Sequence, residues 1–186
     1  RVSSPNSIMI GTLIYVSVYA LITLKDMHDT YSRDRATGLY NRNKCNEIIR
    51  YANDIKSTVI MFDVNNLKYI NDTFGHEAGD TVLKAFADVM RSCIPAGNFL
   101  GRSGGDEFLA IIHNNDENRI KAIIDDINYQ INEYNKHSGN EYKLSVASGY
   151  ALSDETDSKT YREMNRLADK RMYENKRNMK ERINYR

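Results

Sequence analysis

The chain has 186 residues, 26 of them basic and 25 acidic, for a formal net charge of +1, and 41% are hydrophobic. That length suits one ordinary domain plus an appendage, with enough apolar content for a core. The near-zero charge excludes an overall field that would draw in nucleic acid or acidic lipid, so any anion site must be local.

The chain opens on Arg1 rather than Met and is read as a segment of a longer protein. From Ile8 to Leu24, IMIGTLIYVSVYALITL, no residue is charged, and the uncharged stretch reaches back to Val2. A spanning helix needs about 20 predominantly apolar residues. The apolar side chains here surround the helix instead of forming a stripe, which predicts a membrane span. Lys25, Arg33, Arg35 and Arg42 follow it, and the positive-inside tendency puts the downstream domain on the cytoplasmic side of the cell membrane. Residues 1–33 are thus predicted as a transmembrane or signalling helix, and 34–186 as the folded domain.

After the polar connector KDMHDTYSR, Gly38 marks a bend, and NKCNEIIRYAND carries Ile48, Ile49, Tyr51 and Ala52 at the spacing of one helix face. STVIMFDV, Ser57 to Val64, is a short β-branched run of the kind that forms a buried strand, with Asp63 at its end. DTVLKAFADVMRSCI repeats Val82, Leu83, Phe86, Val89, Met90 and Cys93 at helical intervals and is ended by Pro95 and Gly97. FLGR and EFLAIIH predict a hairpin whose glycine turn puts Asp106 and Glu107 at its tip. A helix from about Glu117 to Lys136, a strand YKLSVASGYAL and a helix from Thr160 to Met179 complete the pattern. Without regular βα alternation, the fold class is α+β, a sheet with helices packed on it. Cys45 and Cys93 have no zinc spacing and are predicted as reduced packing residues.

Four features combine into one chemistry: Asp63 at a strand end, Asp106 and Glu107 on a tight turn, Asn71 and Asp80 around FGHEAGD, and Lys176 with Lys180 on one helix face. Each alone is weak, since a strand-end Asp often caps a helix and GGDE can be an ordinary turn. Oxygen ligands from neighbouring strands suit a hard cation such as Mg²⁺. Gly104 and Gly105 would let a polyphosphate approach the backbone.

The parts RSGGDEF, FDVNNLKYINDTFGHEAGD and LADKRMYENK, in that order, make Asp34 to about Lys180 similar to the GGDEF family of diguanylate cyclases. The resemblance implies an antiparallel-rich sheet flanked by helices, like the palm of nucleotidyl cyclases and polymerases. It implies that two copies each bind one GTP and join them into cyclic di-GMP. By matched position, Asp63 and Asp106 would hold metal with the Val64 carbonyl, using two Mg²⁺ ions per site or Mn²⁺ in their place. Glu107 would be a further ligand or the proton acceptor. Asp80 and Asn71 would read guanine, while Lys68, Lys176 and Lys180 would face phosphates. Arg102 is either a phosphate contact or a carboxylate's partner. The alternative function is a silent GGDEF domain that binds GTP and regulates or dimerises. Departures from the family pattern are Ala36 for leucine, Asn65 for the second strand-end acid, Leu67 for an aromatic, and Met179 with Lys180 for glycine and arginine. Leu39, Phe74, Phe108 and Tyr173 are predicted as core.

Overall fold

The computed structural model describes residues 5–51, 56–157 and 160–184, and divides into two compact units, Arg1–Arg33 and Asp34–Arg186. Ala52 and residues 1–4 lie outside the described residues.

The first unit is one helix, α1 (Pro5–Tyr31). Met9, Leu13, Tyr15, Val16, Leu21 and Leu24 are all exposed along it, and Thr12 and Thr23 return their hydroxyls to the carbonyls of Met9 and Tyr19 at 2.9 Å. Among the described residues, however, no helix is long and apolar enough to cross a membrane, so the expected span is not found.

In the second unit the elements run α2 (Arg42–Tyr51), β1 (Thr58–Val64), α3 (Leu67–Phe74), α4 (His76–Cys93), β2 (Phe99–Arg102), β3 (Glu107–Ile112), α5 (Glu117–His137), β4 (Val146–Leu152) and α6 (Tyr161–Asn184). The sheet order is β2-β3-β1-β4, and its paired strands are antiparallel. Every residue of β1 is buried, so its sequence does not alternate; helices cover both faces of the sheet. Ile60, Phe62, Val64, Phe108 and Ala110 pack with α4 and α5 on one face. Val59, Met61, Leu109, Ile111, Ala147 and Ala151 face Cys45 of α2 and Met164, Ala168 and Met172 of α6. Leu39 and Phe108 are core as expected, and Phe74 packs at its margin.

Three elements differ from the sequence reading. A separate two-turn helix, α3, precedes α4, because Asn66 enters the left-handed region (φ 60°) to start it and Gly75 (φ 89°) ends it. β4 begins at Val146, not Tyr142, because the Asn135 side chain takes both backbone groups of Leu144, at 2.7 and 2.8 Å, as a neighbouring strand would. α6 runs past Met179 to Asn184 because nothing from Met179 to Asn184 breaks a helix.

Close packing fixes the two helices of the α2/α6 face. A Cβ on Gly149 would lie 2.2 Å from the Met172 nitrogen and 2.3 Å from the Ala168 carbonyl oxygen, so α6 sits against the backbone of β4. A Cβ on Gly101 would lie 2.3 Å from Cys45 Sγ, so α2 approaches β2 as closely. Burial pushes the Cys45 thiol up to about 12.

The outer edges of the sheet are both occupied. On β2, the Tyr40 amide donates to the Leu100 carbonyl and the Tyr40 carbonyl accepts from the Arg102 amide. On β4, Asn175 accepts from the Ser148 amide, Arg171 donates to the Tyr150 carbonyl, and Glu155 accepts from the Leu152 amide.

Candidate active site

The site begins with strand register. Asp63 on β1 lies directly opposite Glu107 on β3, and cross-strand partners project to the same side of a sheet. Asp63 follows Val59 and Met61 in alternation, so that side is the α2/α6 face. Two acids therefore meet beneath α6, at the end of an otherwise apolar layer.

The turn between β2 and β3 adds the third acid. The Asp106 carbonyl accepts from the Val64 amide at 2.9 Å, tying the turn to the end of β1, and the Ser103 and Gly104 amides both donate to the Glu107 carbonyl. A Cβ on Gly104 would lie 2.6 Å from Glu107 Oε2, so this glycine makes room for the carboxylate; Gly105 faces open space.

Arg102 is engaged on both sides. Its Nη1 lies 3.3 Å from Asp34 Oδ1, and its Nε and Nη2 donate to the Gly105 carbonyl at 3.1 and 2.6 Å. The pairing with a carboxylate, one of the two roles open to it from sequence, is present. Asp34 also accepts from the Thr37 amide and hydroxyl, at 2.9 and 2.7 Å. Burial opposes ionisation of Asp34, but these bonds and Arg102 together hold its carboxyl below the usual range.

Above the acids, Lys176 of α6 reaches down to Asp63, Nζ to Oδ1 2.6 Å. A cavity of about 390 Å³ is lined by Asp63, Glu107, Asp169, Met172, Tyr173, Lys176, Arg177 and Lys180. Burial pushes the Asp63 carboxyl up; the Lys176 hydrogen bond pulls against this, and the Asp106 charge adds to the rise. Burial also raises Glu107, followed by the charges of Asp106, Asp169 and Asp63. A wider hollow of about 700 Å³ between α4 and α5 is lined by Lys84, Asp88, Glu133 and His137, and no strand end reaches it.

Asn71 and Asp80 are brought near one another but do not line the acid cavity. A Cβ on Gly79 would lie 1.9 Å from Asn71 Oδ1, so the Asn71 amide rests on the residue preceding Asp80 at the start of α4. Asp80 is exposed, and Lys68 is exposed on α3.

Sequence reasoning missed Asp169 and Arg177. Asp169 stands seven residues before Lys176, two turns along the same helix face, a spacing that would have found it. Tyr173, predicted as core, is 62% exposed, because the buried stripe of α6 is Met164, Ala168 and Met172 and Tyr173 turns to the cavity side. Two of the departures touch: Asn65 Nδ2 donates to Ser145 Oγ at 3.0 Å and lies 3.8 Å from Met179 Sδ.

Among the described residues, no three His, Cys, Asp or Glu side chains form a ready metal cage. The donor chemistry nevertheless fits a hard cation: burial first and neighbouring carboxylate charge second raise Asp63 and Glu107, and a cation beside these oxygen donors would offset both.

Residues 31–182 match the family described as Diguanylate cyclase, GGDEF domain. Diguanylate cyclase A of Treponema denticola is 30% identical over 127 residues, 68% of this chain and 34% of that protein. An uncharacterized membrane protein of Staphylococcus aureus is 27% identical over 168 residues, 86% of this chain and 47% of that protein. The chain thus spans between a third and a half of these relatives. The crystal structure of the coiled coil and GGDEF domain of DgcB from Caulobacter crescentus, in complex with c-di-GMP, superposes with a TM-score of 0.72 at 21% identity, covering 94% of this chain and 96% of that one, a likeness of fold.

Proposed function

The chain belongs to the GGDEF-domain family of diguanylate cyclases, and from that premise we propose that it condenses two GTP into cyclic di-GMP with release of two pyrophosphates. In each half-reaction the 3′-hydroxyl oxygen of one GTP attacks the α-phosphorus of the other. The bond to pyrophosphate breaks, and the hydroxyl proton leaves to a base. The observation that supports this reading is the cross-strand pair Asp63 and Glu107, with Asp106 beside it, under a helix face of lysines.

In this reading Asp63, Asp106 and the Val64 carbonyl hold magnesium, and Glu107 is a further ligand or the proton acceptor. Bound there, magnesium would lower the pKa of the attacking hydroxyl and offset charge building on the phosphates and the leaving group. Lys176, Lys180 and Lys68 bind phosphates, and Gly104 with the open Gly105 admits them to the backbone. The Asp80 carboxylate accepts from guanine N1–H and its exocyclic amine, and the Asn71 amide pairs with the same base edge. One domain carries one GTP, so the partner in catalysis is a second copy facing the first. The reaction belongs in the cytoplasm, where GTP is.

The test is purified protein with GTP and Mg²⁺, assayed for cyclic di-GMP and pyrophosphate across a range of protein concentrations. Product whose specific activity rises with concentration, and which Asp63→Ala and Asp106→Ala abolish without unfolding the protein, supports the reading. GTP binding without turnover would leave only a regulatory domain.

A further inference from the structure

We propose that Lys176 is the resident counter-ion of the cation position, so that a divalent ion enters by exchange with its ammonium, which then becomes free for the triphosphate. The proposal rests on the functional reading above. Asp63 is a carboxylate with a side chain only 9% exposed, facing Glu107 across the strands, with Asp106 and Asp169 near. While its carboxylates are ionised, such a cluster needs a positive partner. Lys176 supplies that charge at 2.6 Å on Oδ1. An ammonium and a divalent ion on one small carboxylate repel strongly at this depth, so the two are alternatives.

The scaffold suits exchange. The Gly149 contact seats α6 closely against β4, so exchange asks for movement of the Lys176 side chain rather than of its helix. What moves is a flexible four-carbon stem ending in a compact point charge, which lets go more readily than a bidentate guanidinium. Lys176 has the cavity on its free side, with Arg177 and Lys180 on its rim, so the displaced ammonium stays where phosphates would lie.

The experiment is Mn²⁺ binding to the nucleotide-free protein, read by loss of the free-ion spin-resonance signal and by the rise in Tm on adding Mn²⁺. Lys176→Met keeps the apolar stem and removes the competitor; it should bind Mn²⁺ about tenfold tighter than the unaltered chain and gain a larger Mn²⁺-dependent rise in Tm. Adding Asp63→Asn to that variant should abolish the gain. Lys176→Arg, which keeps a charge on the carboxylate, should bind Mn²⁺ no tighter than the unaltered chain. Equal affinity in the Lys176→Met variant and the unaltered chain, at a site that Asp63→Asn removes, would overturn the exchange and leave the functional reading standing. So would tighter binding by the Lys176→Arg variant. Mn²⁺ binding indifferent to Asp63→Asn in every background would overturn both.

Discussion

Arg102 and Asp34, 68 residues apart in the chain, form an ion pair at 3.3 Å, and the same guanidinium holds the Gly105 carbonyl. The turn that opens the domain is thereby tied to the tip that carries Asp106 and Glu107. Truncating Arg102→Ala removes charge-assisted hydrogen bonds from a largely enclosed pair, each worth about 1.5 to 3 kcal/mol. We expect a stability loss of about 2 kcal/mol by urea melting and a fall of about tenfold or more in kcat. Asp34→Ala should lower kcat in the same direction, and a normal kcat in both variants would separate the opening turn from the site.

Gly149→Ala tests how α6 is held. The added methyl meets backbone on α6, which cannot rotate away, so the cost belongs at the upper end of overpacking, about 3 kcal/mol. Denaturant melting gives this directly, and a change below about 0.5 kcal/mol would mean that α6 is not seated on β4.

The Glu155–Arg171 pair sets a pH dependence. Arg171 makes two bonds of 2.8 Å to the Glu155 carboxylate, which lies below its ordinary value of 4.5 chiefly through that hydrogen bonding. A depressed carboxylate contributes stability that is present above its unfolded value and lost as pH falls through the folded one. Arg171 is 37% exposed, so solvent screening limits the contribution to about 1 kcal/mol. Glu155→Gln should therefore be less stable than the unaltered chain at pH 7, with the gap closing as pH falls below 4.5. Thermal melts across pH 3 to 7 measure it, and a constant gap would contradict the assignment.

Asp80→Asn exchanges a pure acceptor for a mixed group. Preference for GTP over ATP should fall by about tenfold, for about 1.4 kcal/mol lost. Competition binding of the two nucleotides is the measurement, and unchanged preference would remove Asp80 from base recognition.

Much of this was legible in the sequence, because strand ends, glycine turns and helical spacing are local signals. RSGGDEF marked the hairpin and put Asp106 in its turn, while Glu107 opens β3 instead of standing at the tip, and the seven-residue spacing could have marked Asp169. What local signals do not carry is pairing register. That Asp63 faces Glu107, rather than pointing to the α4/α5 side, depends on a ladder between strands more than 40 residues apart in sequence. The same limit hid the partner of Arg102 and the capture of Leu144 by Asn135, both contacts between separate segments. α6 was placed too short because its apolar periodicity fades after Met179, although nothing from Lys180 to Asn184 breaks a helix.

The occupied edges of the sheet bear on how two copies can come together. β2 is shielded by Tyr40, and β4 by side chains of Asn175, Arg171 and Glu155. A bare edge would offer every other copy a strand to extend, and that mode grows without limit as concentration rises. With both edges taken, crowding the protein favours encounters through helices and loops, which can close as pairs. A catalyst proposed to fire only in pairs can thus be concentrated without being diverted into filaments.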